Sequence, residues 1–272
     1  MTAADLTSQR RGALIVFLVV AFAATWSVWT PLVIGAAQGT EWPTPSWLFF
    51  LGSAGPLLGA ISASLYSGGA AGLRAWAGRA YSMRFPARWW LFAIGMPLAY
   101  FAMGYLAAWI VSGTLPDLGD FGMTQKLPGW NVVAVAAIWV LTFGLGEESG
   151  WRGWLLPALA TRMSVFAASL VVAAVWIAWH IPAFFFNPTY REMGWGLIGW
   201  AIALVAGSTL LAWMTRQAAW SIVPVLIWHA GFDLLTAADQ SAGVIASTIS
   251  AVVIFQGVVA AGILWRSRGR TG

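Results

Sequence analysis

The sequence predicts an all-α protein, a polytopic helix bundle in a membrane, from its composition, its apolar runs and the placement of its arginines. Of its 272 residues, 60% are hydrophobic and only 8% are charged, and the mean hydropathy is +0.77. A soluble domain carries about a quarter charged residues, so this composition belongs in a bilayer. The absence of cysteine excludes a disulfide framework, thiolate ligation of a metal and a cysteine nucleophile.

Eight apolar segments are each long enough for a spanning helix, which needs about 20 apolar residues. Glycine, proline and charged residues separate them, most clearly at 39–45, 67–86, 113–128 and 187–193 and at Arg216. No soluble domain or repeat interrupts the series, so we predict one integral membrane domain over the whole chain, 1–272. The predicted spans are 13–36, 46–66, 88–111, 131–158, 165–186, 195–215, 220–238 and 243–265.

The first predicted span resembles a secretory signal peptide, because two arginines precede its apolar run. Its hydrophobicity continues past Trp29 to Ile34, which is longer than a signal-peptide core, so we expect an uncleaved helix. In the second span, Gly55 and Gly59 have the small-x-x-x-small spacing that allows two helices to approach closely.

The basic residues predict the orientation of the bundle. With eight spans and a cytoplasmic N-terminus, nearly all arginines fall on the inner side, as the positive-inside rule requires. The pI of 10.2 then needs no nucleic-acid partner. Both termini are therefore expected in the cytoplasm. The inner basic residues are Arg10, Arg11, Arg74, Arg79, Arg84, Arg88, Arg152, Arg162, Arg216, Arg266, Arg268 and Arg270. The charged residues on the outer side are Lys126, Arg191, Glu41, Asp117, Asp120, Glu192 and Asp239.

Ionisable side chains at membrane depth are costly and usually mark a functional site. Within the fourth predicted span, Glu148 and Arg152 are four residues apart with the acid first, the order that favours an ion pair on a helix. Glu147 is rotated by about 100° from Glu148 on an α-helix. Its carboxylate therefore does not face Arg152 and is free to take part in another interaction. For the Glu148–Arg152 pair alone, stabilisation of a helix end is the alternative interpretation.

The only two histidines of the chain, His180 and His229, lie in two further apolar segments. Trp176 lies one turn before His180, and Asp233 lies one turn after His229, where a carboxylate can orient the imidazole. Either histidine alone is also compatible with a structural hydrogen bond between helices. Counted at about 1.5 Å per residue, Glu147 and both histidines lie within about one turn of a common depth. We therefore expect a single buried polar site.

In their order along the chain, these motifs resemble the CPBP family of intramembrane proteases, also called the Abi or CAAX-protease-like family, which includes the type 2 CAAX prenyl endopeptidase. The family usually has phenylalanine at position 176, and its prenyl endopeptidases have asparagine at position 233. The resemblance covers residues 131–238, the expected catalytic core, with the motifs Glu147-Glu148-x-x-x-Arg152, Trp176-x-x-x-His180 and His229-x-x-x-Asp233.

The resemblance implies that Glu147 and His180 activate a water molecule for attack on a peptide carbonyl. It also implies that His229 and residue 233 stabilise the oxyanion. An ionised Asp233 cannot donate a hydrogen bond as asparagine does, so it is expected to be protonated, to orient His229 or to ligate a metal. The supporting residues are Glu148, Arg152 and Trp176.

The sequence leaves open whether the site holds a divalent metal. The His-Glu-x-x-His signature of soluble zinc proteases is absent. Two imidazoles and two carboxylates nevertheless form a suitable set of zinc ligands. No cofactor is predicted with certainty. The candidate metal ligands are Glu147, His180, His229 and Asp233.

Two other functions stay open at this point. A proton-coupled transporter could use the same Glu, His and Asp residues as a relay, and two membrane histidines could be axial ligands of haem. For a protease, the expected partners are the bilayer and a peptide or membrane-protein substrate. Many more arginines than lysines, with 20 tryptophans, suggest a GC-rich bacterial genome and hence the inner membrane, where prenylated substrates are unexpected. The oligomeric state is not predicted.

Overall fold

The computed structural model describes residues 3–39, 47–119, 121–241 and 243–267 of the chain. Throughout these ranges the regular structure is helical, as the sequence predicts, and no β-strand occurs in them. The helices are α1 (Ala3–Ala37), α2 (Trp47–Gly52), α3 (Ala54–Ala80), α4 (Arg88–Ser112), α5 (Val132–Ala160), α6 (Val165–Trp179), α7 (Ala183–Phe186), α8 (Pro188–Arg191), α9 (Gly196–Gln217), α10 (Val223–Ala237) and α11 (Val244–Ser267).

The described part of the chain contains 6 helices that are long and apolar enough to cross a membrane: α1, α2 together with α3, α4, α5, α9 and α11. This confirms a multi-pass membrane bundle. The predicted spans at 165–186 and 220–238 are shorter than expected, because α6 and α10 have only 15 residues each. At about 1.5 Å per residue such a helix is about 22 Å long, less than the roughly 30 Å of the hydrocarbon core.

α5 is not uniformly α-helical, although the sequence analysis assumed that geometry. Val140–Glu147 and Trp151–Leu155 are π-helical, on either side of the single α turn Glu148–Gly150. Single π turns within α-helices occur often at functional sites, because they change the direction of the side chains. Both glutamates therefore lie at the junction between two kinds of helix.

The break predicted at 67–86 begins later than expected. α3 continues to Ala80 across a kink at Gly68 and Gly69, and Gly69 has a φ of 56°. Glycine adopts this left-handed conformation without a steric penalty. Beyond the kink, Arg79 Nη2 donates a hydrogen bond of 2.8 Å to the carbonyl oxygen of Gly153. The end of α3 is thereby attached to α5.

The helices pack in pairs, and α5 contacts both α3 and α10. α1 packs along α3 and α9 packs along α11, while α4 contacts both α10 and α11. The predicted close approach at Gly55 and Gly59 is confirmed, since a Cβ there would lie 2.5 Å from the Ala21 carbonyl oxygen and 2.8 Å from that of Phe17. Small residues at these positions let α1 and α3 touch backbone to backbone.

Some predictions fall outside the described residues or on side chains that the structure does not describe. The orientation of the bundle in a membrane and the boundaries 1–272 and 131–238 also stay predictions. The charged residues of the predicted loops and termini concerned are Glu41, Asp120, Asp239, Arg268 and Arg270.

Candidate functional site

The three helices that carry the motifs meet through the two glutamates of α5. Glu147 Oε2 accepts a hydrogen bond of 2.7 Å from the indole nitrogen of Trp176 in α6. Glu148 Oε1 lies 2.8 Å from His229 Nδ1 in α10. Both glutamates are buried, with relative exposures of 2% and 0%. Neighbouring carboxylates thus face different helices, and α5, α6 and α10 converge on one polar cluster.

Glycines allow α5 to bring these glutamates so close to α3 and α10. A Cβ at Gly146 would lie 2.5 Å from the Ser53 carbonyl oxygen, and one at Gly150 would lie 2.6 Å from that of Pro56. A Cβ at Gly144 would lie 2.7 Å from the carbonyl oxygen of a residue in α10. The glycines around the glutamate pair therefore serve packing.

The predicted pair of Glu148 and Arg152 is made. Arg152 Nη1 donates to Glu148 Oε1 at 2.7 Å, and both side chains are fully buried. The guanidinium group lies 4.4 Å from the centre of the Trp176 ring, a cation–π contact. The guanidinium group of Arg152 thus contacts one carboxylate and one indole. Among the ion pairs of the described residues, none joins Arg152 to Glu147.

His229 is held between two carboxylates. Its Nδ1 atom faces Glu148 Oε1 at 2.8 Å, although without the alignment of a hydrogen bond, and its Nε2 atom lies 3.5 Å from Asp233 Oδ2. The ring also stands edge-on to Trp176 at 5.4 Å. Of the three roles expected for Asp233, this geometry supports the orientation of His229.

His180 lies at the C-terminal cap of α6, where its Nδ1 atom is 2.8 Å from the Trp176 carbonyl oxygen. A carbonyl oxygen only accepts hydrogen bonds, so in the neutral ring Nδ1 carries the proton and Nε2 keeps its lone pair. The helix ends earlier than the predicted span 165–186: Pro182 follows, and the carbonyl of Trp179 accepts a hydrogen bond of 3.1 Å from the indole of Trp26.

Aromatic rings surround His180, and sequence reasoning missed two of them. Trp179, Trp200 and Tyr190 stand nearly perpendicular to the imidazole, with ring centres 4.8, 5.3 and 6.0 Å away. Tyr190 lies in the predicted connection 187–193, and Trp200 lies in the predicted span 195–215, which carries no motif. The available signal was Asn187-Pro188, a cap followed by proline that starts the short helix α8 and turns it back toward the site.

The phenol of Tyr190 is electrostatically coupled to the site. Its pKa is raised above the ordinary value, first by burial and then by the negative charges of Asp233 and Glu147. The indole of Trp200 interacts with the phenol oxygen. Tyr190 therefore remains a neutral hydroxyl group.

The predicted metal ligands do not form a metal centre in this arrangement. Among the described residues, no three His, Asp or Glu side chains are placed to hold one ion. Both ring nitrogens of His229 face carboxylates, and Nδ1 of His180 faces a backbone carbonyl. In the described part of the chain, the donor geometry of these side chains does not fit a shared zinc ion.

Comparison with known proteins places similarity on the part of the chain that carries the site. Residues 129–235 match the model of the family described as type II CAAX prenyl endopeptidase Rce1-like. A protein named CAAX prenyl protease 2 from Methanococcus maripaludis is 30% identical over 88 residues, which cover 30% of this chain and 32% of that protein. The match thus spans about a third of the curated relative's length.

The matched segment, 129–235, contains all three motifs and the α5, α6 and α10 residues that converge in the structure. The family match and the converging side chains therefore lie in the same part of the chain. Residues 129–235 are similar to the type II CAAX prenyl endopeptidases, which belong to the family that the motifs resemble.

Proposed function

We propose that this protein is an intramembrane endopeptidase that hydrolyses a peptide bond with a water molecule activated by Glu147 and His180. The observation that carries the proposal is that the two neighbouring glutamates make different contacts. Glu148 contacts Arg152 and His229, whereas Glu147 is held by a single hydrogen bond from Trp176. A positioned carboxylate that is not part of an ion pair is suited to act as a general base.

In this reaction Glu147 takes one proton from water as the water oxygen bonds to the carbonyl carbon. The electron pair of the carbonyl bond moves to its oxygen, which becomes the oxyanion. Nε2 of His180, with its lone pair free, orients the attacking water. When the intermediate collapses, the carbon–nitrogen bond breaks and Glu147 returns the proton to the departing amine. The proposed role of His229, oriented by Asp233, is to stabilise the oxyanion.

The proposed substrate is a peptide or a membrane protein whose scissile bond reaches the buried site from the bilayer. The relative's name refers to prenylated CAAX sequences, and such substrates are one candidate class here. We propose the inner membrane of a bacterium as the location. The many apolar side chains exposed on the long helices, such as Leu91, Ile110 and Val133, suit contact with lipid.

Cleavage by reconstituted variants tests the proposal. The full chain is placed in liposomes with an internally quenched peptide that carries a membrane anchor. Because each group acts directly on the water, Glu147→Gln and His180→Ala are expected to lower cleavage by about 10²-fold or more. Glu192→Gln is the matched control, since Glu192 is an exposed carboxylate outside the site.

Two further measurements sharpen the outcome. A metal chelator is expected to leave cleavage intact, because the site does not gather three metal-binding side chains among the described residues. Proton flux is recorded in the same liposomes. Unchanged cleavage in both Glu147→Gln and His180→Ala would contradict the protease function. A transporter would be favoured if the wild type cleaves no peptide but carries a proton flux that both variants lose.

A further inference from the structure

The site lacks one kind of group that the proposed reaction needs. An oxyanion is stabilised by hydrogen-bond donors that point at it. His229 is one such donor, but Asp233 faces its Nε2 atom at 3.5 Å, as an acceptor. A carboxylate donates no hydrogen bond, unlike the asparagine that stands at this position in the prenyl endopeptidases. A second neutral donor must come from elsewhere in the chain.

Tyr190 is placed to supply this donor. It lies in α8, outside the long helices, and its ring packs against His180 at 6.0 Å and against Phe184 and Trp200 at 5.4 Å each. All three contacts are edge-to-face, an arrangement that defines the orientation of the ring. Tyr190 is partly buried.

The hydroxyl group is also prepared to donate. An indole nitrogen only donates hydrogen bonds, so the interaction with Trp200 occupies the phenol oxygen as an acceptor. The phenol proton is then free for another partner. Burial, followed by the charges of Asp233 and Glu147, raises the pKa of this phenol and keeps it protonated. The contact between its ring and His180 places Tyr190 beside the proposed water-activating group.

We infer that Tyr190 is a further catalytic residue, which donates a hydrogen bond to the oxyanion in place of the amide that position 233 lacks. The inference rests on the proposed endopeptidase function. It assigns the segment between α6 and α9 a role in the chemistry, beyond that of a connection. Trp200 is the positioning residue for this phenol, because its ring packs edge-to-face against the ring of Tyr190.

Tyr190→Phe tests the inference, since it removes the hydroxyl group and keeps the aromatic packing. In the liposome assay we expect kcat to fall by about 10²-fold, the typical effect of losing one oxyanion donor, with KM and thermal stability unchanged. Tyr105→Phe is the matched control, because that phenol donates to the Pro116 carbonyl at 3.1 Å, away from the site. Its kcat should equal that of the wild type.

A double variant separates donation from packing. Asp233→Asn introduces a neutral amide donor, so Asp233→Asn combined with Tyr190→Phe should recover part of the kcat lost in Tyr190→Phe alone. Wild-type kcat in Tyr190→Phe, or a double variant no faster than Tyr190→Phe, would overturn the inference. Glu147→Gln in the same series separates the endopeptidase function from the role of Tyr190. If Glu147→Gln abolishes cleavage while Tyr190→Phe leaves it unchanged, only the role proposed for Tyr190 is wrong.

Discussion

At the scale of the residue, the buried ion pair explains why this chain needs two adjacent glutamates. Spacing along a helix was enough to predict the contact between Glu148 and Arg152, because residues four apart are neighbours. The hydrogen bond from Trp176 to Glu147 was not predictable, since it joins residues 29 positions apart in the sequence. For the same reason the contact between Glu148 and His229 appears only in three dimensions.

Removal of the buried arginine should affect folding before it affects catalysis. In Arg152→Ala, the fully buried Glu148 carboxylate loses its counter-charge, which costs about 3–5 kcal/mol in comparable buried pairs. We expect a large drop in thermal stability in detergent and poor expression. Arg84→Ala is the control, because Arg84 is exposed. Equal melting temperatures for the two variants would show that the Glu148–Arg152 pair contributes nothing to stability.

At the scale of the element, helix lengths were the least predictable feature. Apolar runs mark where chain is buried in lipid or protein, but they do not distinguish a full span from a shorter helix that turns back within the bundle. α6 stops at Trp179, whose carbonyl group accepts a hydrogen bond from the indole of Trp26. The π-helical turns of α5 depend on packing against α3 and α10, which no local pattern encodes.

A methyl group at the contact between α3 and α5 should therefore be destabilising. In Gly150→Ala the new Cβ would lie 2.4 Å from Pro56 Cβ, so one helix must move. Overpacking of this kind costs about 1–3 kcal/mol. The matched control is Gly262→Ala in α11, where a Cβ meets nothing within 4 Å. Thermal unfolding in detergent measures both variants, and equal stability would contradict the tight contact.

At the scale of the whole molecule, composition was sufficient to predict the class, and motif order was sufficient to predict the family that residues 129–235 match. The average properties of a bilayer dictate the composition of everything inside it, so the all-α membrane bundle follows from the apolar runs alone. The three motifs were predicted to meet because separate helices would otherwise each bury a charge without compensation. For the packing of Tyr190 in α8 against His180, the sequence offered only the local signal of Asn187-Pro188, which predicts a helix start but no contact with the site.

The orientation predicted from the arginines can be tested directly, because the chain contains no cysteine. Single cysteines at Asp117 and Arg162, both exposed, mark the connections after α4 and after α5. A membrane-impermeant maleimide should label Asp117→Cys in intact cells, and Arg162→Cys only after the cells are permeabilised. The reverse labelling pattern would place the N-terminus outside and invert the bundle.

The shortness of α6 and α10 has a consequence for the surrounding lipid. Where a hydrophobic segment is shorter than the membrane, the bilayer thins beside it to avoid exposing acyl chains to polar groups. His180 caps α6 and His229 lies in α10, so the proposed site is at these two helices. We therefore expect the headgroup region, with its water, to lie closer to these residues than it would beside a full-length span, which would supply the water that the proposed hydrolysis needs.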